Sequence, residues 1–232
     1  MDSSREWMQD GCRMRLYGGN KADGTVLWLI GEEEAPWLAA LPEDASVIAV
    51  SGMDWDRDLS PWPAPAVFRG HPFAGGAEAY LNRLTEEWMP EALSAFSLSP
   101  VREGILGYSL AGLFSLYAFC ACSRFRLAAS VSGSLWYDGF LDWLNAHPPV
   151  RRAERLYFSV GDRERKARNP RMAQVEDCTR QAAEWARLTR TRPSSSSGQA
   201  VISTSRTSGY CGLCNTCWIK NKKPARWRAD KF

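Results

Sequence analysis

The sequence predicts an α/β fold built on a mostly parallel sheet with helices on both faces. Three observations carry that prediction. Five short apolar runs are separated by segments of helical periodicity, the alternation expected of a doubly wound architecture. The runs are nearly continuous rather than alternating in polarity, as strands buried on both faces must be. At 232 residues, with 45% hydrophobic and 24% charged side chains, the chain has the size and composition of one globular domain.

The predicted strands run from Val26 to Ile30, Val47 to Val50, Gly104 to Leu106, Leu127 to Val131 and Leu156 to Val160. A weaker one spans Arg13 to Tyr17, with Gly18-Gly19-Asn20 to Asp23-Gly24 as its turn. Helices fill the intervals. Ala77 to Ser94 carries Tyr80, Leu81, Leu84, Trp88 and Leu93 at helical spacing. Leu110 to Cys122 is apolar nearly all round and should be buried. Gly139 to Asn145 is short, and Ala173 to Leu188 is amphipathic. At Pro193 the composition changes to a Ser-rich stretch. The expected organisation is therefore a domain over residues 1–192 and a low-complexity basic tail over 193–232 that is not a domain.

The net charge of +3 hides an asymmetry. Seven bases and one acid follow Pro193, so the preceding residues hold 22 bases against 25 acids. A basic tail invites a nucleic-acid or anionic-membrane reading, but a solvated end without a partner is expected here. The polar start, Met1-Asp2-Ser3-Ser4, shows no secretory signal, and no apolar run reaches the ~20 residues that cross a bilayer. A cytoplasmic protein is expected. An odd count of seven cysteines argues against a disulfide framework. Cys211, Cys214 and Cys217 have metal-like spacing but lack a fourth ligand, so no metal is expected.

The segment Gly107-Tyr108-Ser109-Leu110-Ala111-Gly112 lies between a predicted strand and the buried helix. A serine on a tight strand-to-helix turn, with small residues two positions either side, has the layout of a nucleophile elbow. A serine nucleophile needs donors for the tetrahedral oxyanion. The N–H of Leu110 is one, and Gly31 or Glu32, after the strand ending at Ile30, is expected to supply the other. It also needs a base oriented by an acid. Asp162 and Glu164 both follow a later strand; Glu164, three residues beyond Gly161, is preferred, and both also read as solvated loop charges.

On these residues the chain resembles the enterochelin-esterase-like branch of the esterase D α/β hydrolases, over about Val26 to Leu188. The resemblance rests on Gly107-Tyr108-Ser109-Leu110-Ala111-Gly112-Leu113-Phe114, on Val131-Ser132-Gly133-Ser134-Leu135-Trp136-Tyr137, on Gly161-Asp162-Arg163-Glu164 and on Arg57-Asp58-Leu59-Ser60-Pro61. It implies an α/β-hydrolase fold and hydrolysis of carboxylic esters by a serine nucleophile without metal or organic cofactor. The partner would be a small-molecule ester, siderophore-type or small acyl, with neither nucleic acid nor membrane involved. Ser132, Ser134, Trp136 and Arg57 would contact substrate.

One part is missing. The resemblance implies a histidine beyond the acid, yet the only two histidines are His71 and His147. The codons for Gln199 to Ser203, read one base early, permit Gly-Gly-His-Phe. The same shift turns Cys211, Cys214, Cys217 and Trp218 into an aliphatic helix face. The sequence thus predicts a frameshift between about Leu188 and Gln199, with the last strand and closing helix lost. The competing reading is a catalytically defective hydrolase fold that binds or does nothing.

Overall fold

The computed structural model of the chain describes residues 5–18, 22–31, 45–67, 72–150, 153–161, 164–190 and 201–206. Its sheet has eight strands: β1 (Arg5–Gln9), β2 (Cys12–Gly18), β3 (Thr25–Ile30), β4 (Ala45–Ser51), β7 (Arg102–Tyr108), β8 (Leu127–Val131), β9 (Arg155–Val160) and β10 (Val201–Arg206). Two further strands, β5 (Pro63–Ala64) and β6 (Phe73–Ala74), pair separately. The order in the large sheet is β1-β2-β4-β3-β7-β8-β9-β10. Strand β2 is antiparallel to both its neighbours; every other pair is parallel. All six predicted strands are present, each extended at one or both ends except β8, whose bounds coincide.

The continuous apolar runs are explained by two buried faces. Along β3, Val26, Trp28 and Ile30 join one cluster of core side chains, while Leu27 and Leu29 join another. Helix α1 is the single turn Trp55–Asp58; the first cluster also holds α2 (Ala77–Arg83), α3 (Met89–Phe96), α4 (Leu110–Ala121), α5 (Phe140–Ala146) and α6 (Val175–Arg190) through residues such as Leu81, Phe96, Phe114, Phe140 and Trp185. The second comprises strand residues, with Tyr17 packed against it; no described helix contributes to it. Eleven of the twelve residues of α4 are buried, which is why it shows no amphipathic stripe. Each large apolar side chain so buried stabilises the fold by about 1.5–3 kcal/mol before chain entropy is charged against it.

The predicted helix from Ala77 is interrupted by a π-turn, Leu84–Trp88. The wider turn exposes the Thr85 carbonyl, which accepts from Arg124 NH1 at 3.0 Å. Arg124 also grips Glu103 Oε2 through Nε and NH2, both at 2.9 Å, and the same oxygen accepts from Trp28 Nε1 at 2.8 Å. One carboxylate thus fastens a helix irregularity to β3 and β7.

The expectation that the last strand is lost is corrected. Strand β10 pairs in parallel with β9, Val201 opposite Arg155 through Arg206 opposite Val160. Val-Ile-Ser-Thr is rich in β-branched residues, and β9 offers an open row of backbone groups for it to pair with. Residues 207–232, including the cysteines from Cys211 to Cys217, lie outside the described residues, as does the expected loss of the closing helix. No described helix is long and apolar enough to cross a membrane.

Candidate active site

Ser109 joins β7 to α4 with φ 56° and ψ −122°, the mirror image of ordinary extended backbone and a strained conformation for any residue with a Cβ. Backbone bonds hold it there. Its N–H donates to Val131 O at 3.0 Å, and its carbonyl accepts from Gly112, Leu113 and Ser134 N–H groups at 3.0, 3.2 and 2.9 Å. The small neighbours are obligatory. A Cβ on Gly107 would lie 2.5 Å from the Ala111 carbonyl, and one on Gly133 would lie 2.0 Å from Ser130 Oγ. The turn is tight because β7, α4 and the segment after β8 meet backbone to backbone.

The Ser109 hydroxyl opens into a cavity of about 430 Å³. Ser132, Ser134, Trp136, Leu110 and Glu164 line it with Ser109, so the structure brings together most of the residues singled out from sequence. They sit at the C-terminal ends of parallel strands. The chain leaves β3 for β4 on one side and later adds β7 on the other, and ligands of open α/β sheets bind at such a switch point. The lining also includes Trp55, Phe73, Tyr108, Lys166 and Met172, which sequence reading missed. Trp55 was within reach of that rule, since it follows β4; Phe73, from the two-residue strand β6, and Met172, from a 3-10 turn, have no motif to mark them.

The Leu110 N–H, first in α4, has no acceptor among the described residues, as an oxyanion donor requires. Gly31 is different: its N–H donates to Val50 O at 2.9 Å, so it is not free for an oxyanion, and Glu32 lies outside the described residues. Arg57 does not line the cavity. Its Nε donates to Asp58 Oδ1 at 2.7 Å and its NH2 to Oδ2 at 3.1 Å, and the hydrogen bond to Asp58 raises its pKa further above the ordinary arginine value.

Glu164 is anchored through one oxygen. Its Oε1 accepts from Ser132 Oγ at 2.5 Å and from Gly161 N–H at 3.0 Å. A Cβ on Gly161 would come within 2.6 Å of that oxygen, so the glycine makes room for the carboxylate. Ser132 itself has φ 45°, with its N–H donating to Ser159 O at 2.7 Å. Ser132 therefore touches Glu164 as well as lining the cavity. Asp162 lies outside the described residues. Ser134 Oγ is 3.4 Å from Ser109 Oγ, at the long end of hydrogen bonding.

His147 is remote from this chemistry. It is exposed, stacks on Trp143 at 4.7 Å between ring centroids, and places Nδ1 2.8 Å from the Trp143 carbonyl. His71 lies outside the described residues.

Known proteins share the family and the fold of this chain. The family model Esterase, described as "Putative esterase", matches residues 37–201. The "Uncharacterized protein YbbA" of Bacillus subtilis (strain 168) is 29% identical over 111 residues, 46% of this chain and 44% of that protein, so the match spans less than half of the relative. Among solved structures, the siderophore hydrolase EstB from Aspergillus nidulans superposes with a TM-score of 0.65 at 19% identity, covering 94% of this chain and 93% of that one. An IroE-like serine hydrolase from Shewanella oneidensis gives 0.70 at 14% identity, covering 88% and 73%. These likenesses establish the α/β-hydrolase fold.

Proposed function

The chain belongs to the Esterase family, and from that membership we propose that it is a carboxylic-ester hydrolase with Ser109 as nucleophile and a small-molecule ester as substrate. The observation that supports it best is the strained Ser109 turn, held open to the cavity by four backbone hydrogen bonds. Strain of that kind costs about 1–3 kcal/mol and persists where it has a use.

In this reading Ser109 is the nucleophile, the Leu110 N–H an oxyanion donor and Glu164 the acid, and the base is a group other than the described lining residues, which include no histidine. Ser109 Oγ attacks the ester carbonyl carbon, its proton passing to a base and then to the departing alkoxide. The oxygen left negative is met by the Leu110 N–H and the first turn of α4, whose backbone dipoles favour an anion. Water then attacks the acyl-enzyme by the same route in reverse. Glu164, pinned through Oε1, has Oε2 left to orient the base. Small acyl esters fit the cavity, and siderophore-type esters, on which EstB and the enterobactin and salmochelin hydrolase IroE act by name, are the second substrate class proposed. No metal or organic cofactor takes part in this scheme, and neither nucleic acid nor membrane is a partner in it.

A second reading rests on one observation: His147 does not line the cavity. Loss of one triad member in a serine hydrolase costs about 10⁴–10⁶-fold in rate, so a defective, ligand-binding hydrolase fold is the alternative. A fluorophosphonate probe decides between them. Labelling mapped to Ser109, abolished by Ser109→Ala and accompanied by hydrolysis of p-nitrophenyl acetate, is the expected result. Labelling that survives the substitution sinks the nucleophile assignment. No labelling and no turnover favours the defective chain, and the nucleotide sequence from about codon 185 then tests the frameshift.

A further inference from the structure

The distribution of ion pairs in this molecule is uneven. Away from the cavity, many arginines have carboxylate partners: Arg15 with Glu6, Arg57 with Asp58, Arg83 with Asp10, Arg126 with Glu154, Arg180 with Asp177, Arg187 with Glu184. Along residues 165–168, after β9, such pairs are missing among the described residues. Arg165, Lys166 and Arg168 are exposed, and no acidic group among the described residues lies within ion-pair distance of them. Lys166 lines the cavity that holds Ser109.

The segment that carries these charges is braced. Its turn, Glu164–Lys166, is pinned by the Glu164 carboxylate on Ser132 and Gly161 and closed by Ala167 N–H on Glu164 O at 3.0 Å. Further along, Asn169 Nδ2 donates to Val67 O at 2.9 Å and Arg171 NH1 to Pro65 O at 3.1 Å. The Arg171 guanidinium also lies over Trp136, 5.6 Å from the ring centroid, with NH2 2.9 Å from Asp138 Oδ2. The exposed cations Arg165, Lys166 and Arg168 are therefore carried on a fixed segment, from which Lys166 lines the cavity, and the acids of the lining are Asp56 and the already engaged Glu164. A cluster of fixed like charges raises the local concentration of an oppositely charged ligand.

Resting on the reading of this cavity as an ester site, we infer that it selects esters carrying a carboxylate, which Lys166 meets at the rim with Arg165 and Arg168 adding to the field. The test separates binding from turnover by using amides, which the site need not cleave. Affinities of the full chain for N-phenylsuccinamic acid and for its uncharged primary amide are measured by titration calorimetry at low salt. The acid is expected to bind at least ~5-fold more tightly, the sum of weak, exposed charge contacts. That preference should fall to under ~2-fold in the triple variant Arg165→Gln/Lys166→Gln/Arg168→Gln, and should shrink similarly at 0.3 M salt. Equal affinities, failure of both to bind at millimolar concentration, or a preference that survives the triple variant would each overturn the inference. A chain whose Ser109 resists the fluorophosphonate but which keeps the anion preference loses the hydrolase reading and retains this one.

Discussion

Replacing Ser109 by glycine should stabilise the protein while removing its nucleophile. At φ 56° and ψ −122° the residue occupies backbone space that glycine enters freely and that a Cβ makes costly, by about 1–3 kcal/mol. Glycine gives back about 0.5–1 kcal/mol through the greater freedom of the unfolded chain. The proper comparison is Ser109→Gly against Ser109→Ala, because both lose the long contact to Ser134 Oγ at 3.4 Å and only the alanine keeps the strain. The glycine variant should then exceed the alanine variant by about 1 kcal/mol, the middle of the difference between these two terms. For a chain of this size that is about 2–4 °C in Tm, or a higher midpoint in urea at unchanged slope. Both variants should be inert to the fluorophosphonate. If the alanine variant is as stable as the glycine variant, the turn is not strained and the strongest support for a poised nucleophile is gone.

Two further outcomes are expected. Gly107→Ala should lose at least ~2 kcal/mol or fail to yield soluble chain, because the new Cβ meets the Ala111 backbone at 2.5 Å and backbone cannot swing aside as a side chain can; near wild-type urea stability would refute this. Stability should also decline in alkali. Burial pushes the Cys12 thiol up to about 12, holds Cys120 well above the ordinary thiol value near 9, and raises Tyr80. The folded state thus keeps protons that the unfolded chain gives up. This stabilisation is complete below about pH 9 and is lost as pH climbs towards 12; a urea midpoint unchanged between pH 8 and pH 10.5 would contradict it.

Much of the site was legible because its parts are local. The elbow is one contiguous segment whose small residues are dictated by three backbones meeting, and Glu164 follows its strand at a distance a turn can close. Strand positions were legible because two-sided burial leaves continuous apolar runs. The Ser132–Glu164 contact was not, since it joins residues 32 apart through the pairing of β8 with β9, which no spacing encodes. Arg57 misled for a related reason: a loop motif marks a turn, but which way a long side chain leaves that turn depends on Asp58 beside it. The last strand was misjudged because its surroundings are polar and low in complexity, while pairing needs only β-branched residues and an open neighbour. Strand β1, with exposed residues Arg5, Glu6 and Met8, carries little apolar signal of its own.

The first and last described strands occupy opposite edges of the sheet, β1 at one side and β10 at the other. Seven inter-strand steps of about 4.8 Å separate them, roughly 34 Å before twist shortens the path. That is the working range of fluorescence energy transfer between two dyes. A donor at the exposed Met8 and an acceptor on β10 would thus turn the sheet into a ruler of its own assembly. Detachment of β10 alone would blur the distance while circular dichroism of the remaining strands stayed native, and a collapse of both signals together would mean that the eight strands form and dissolve as one unit.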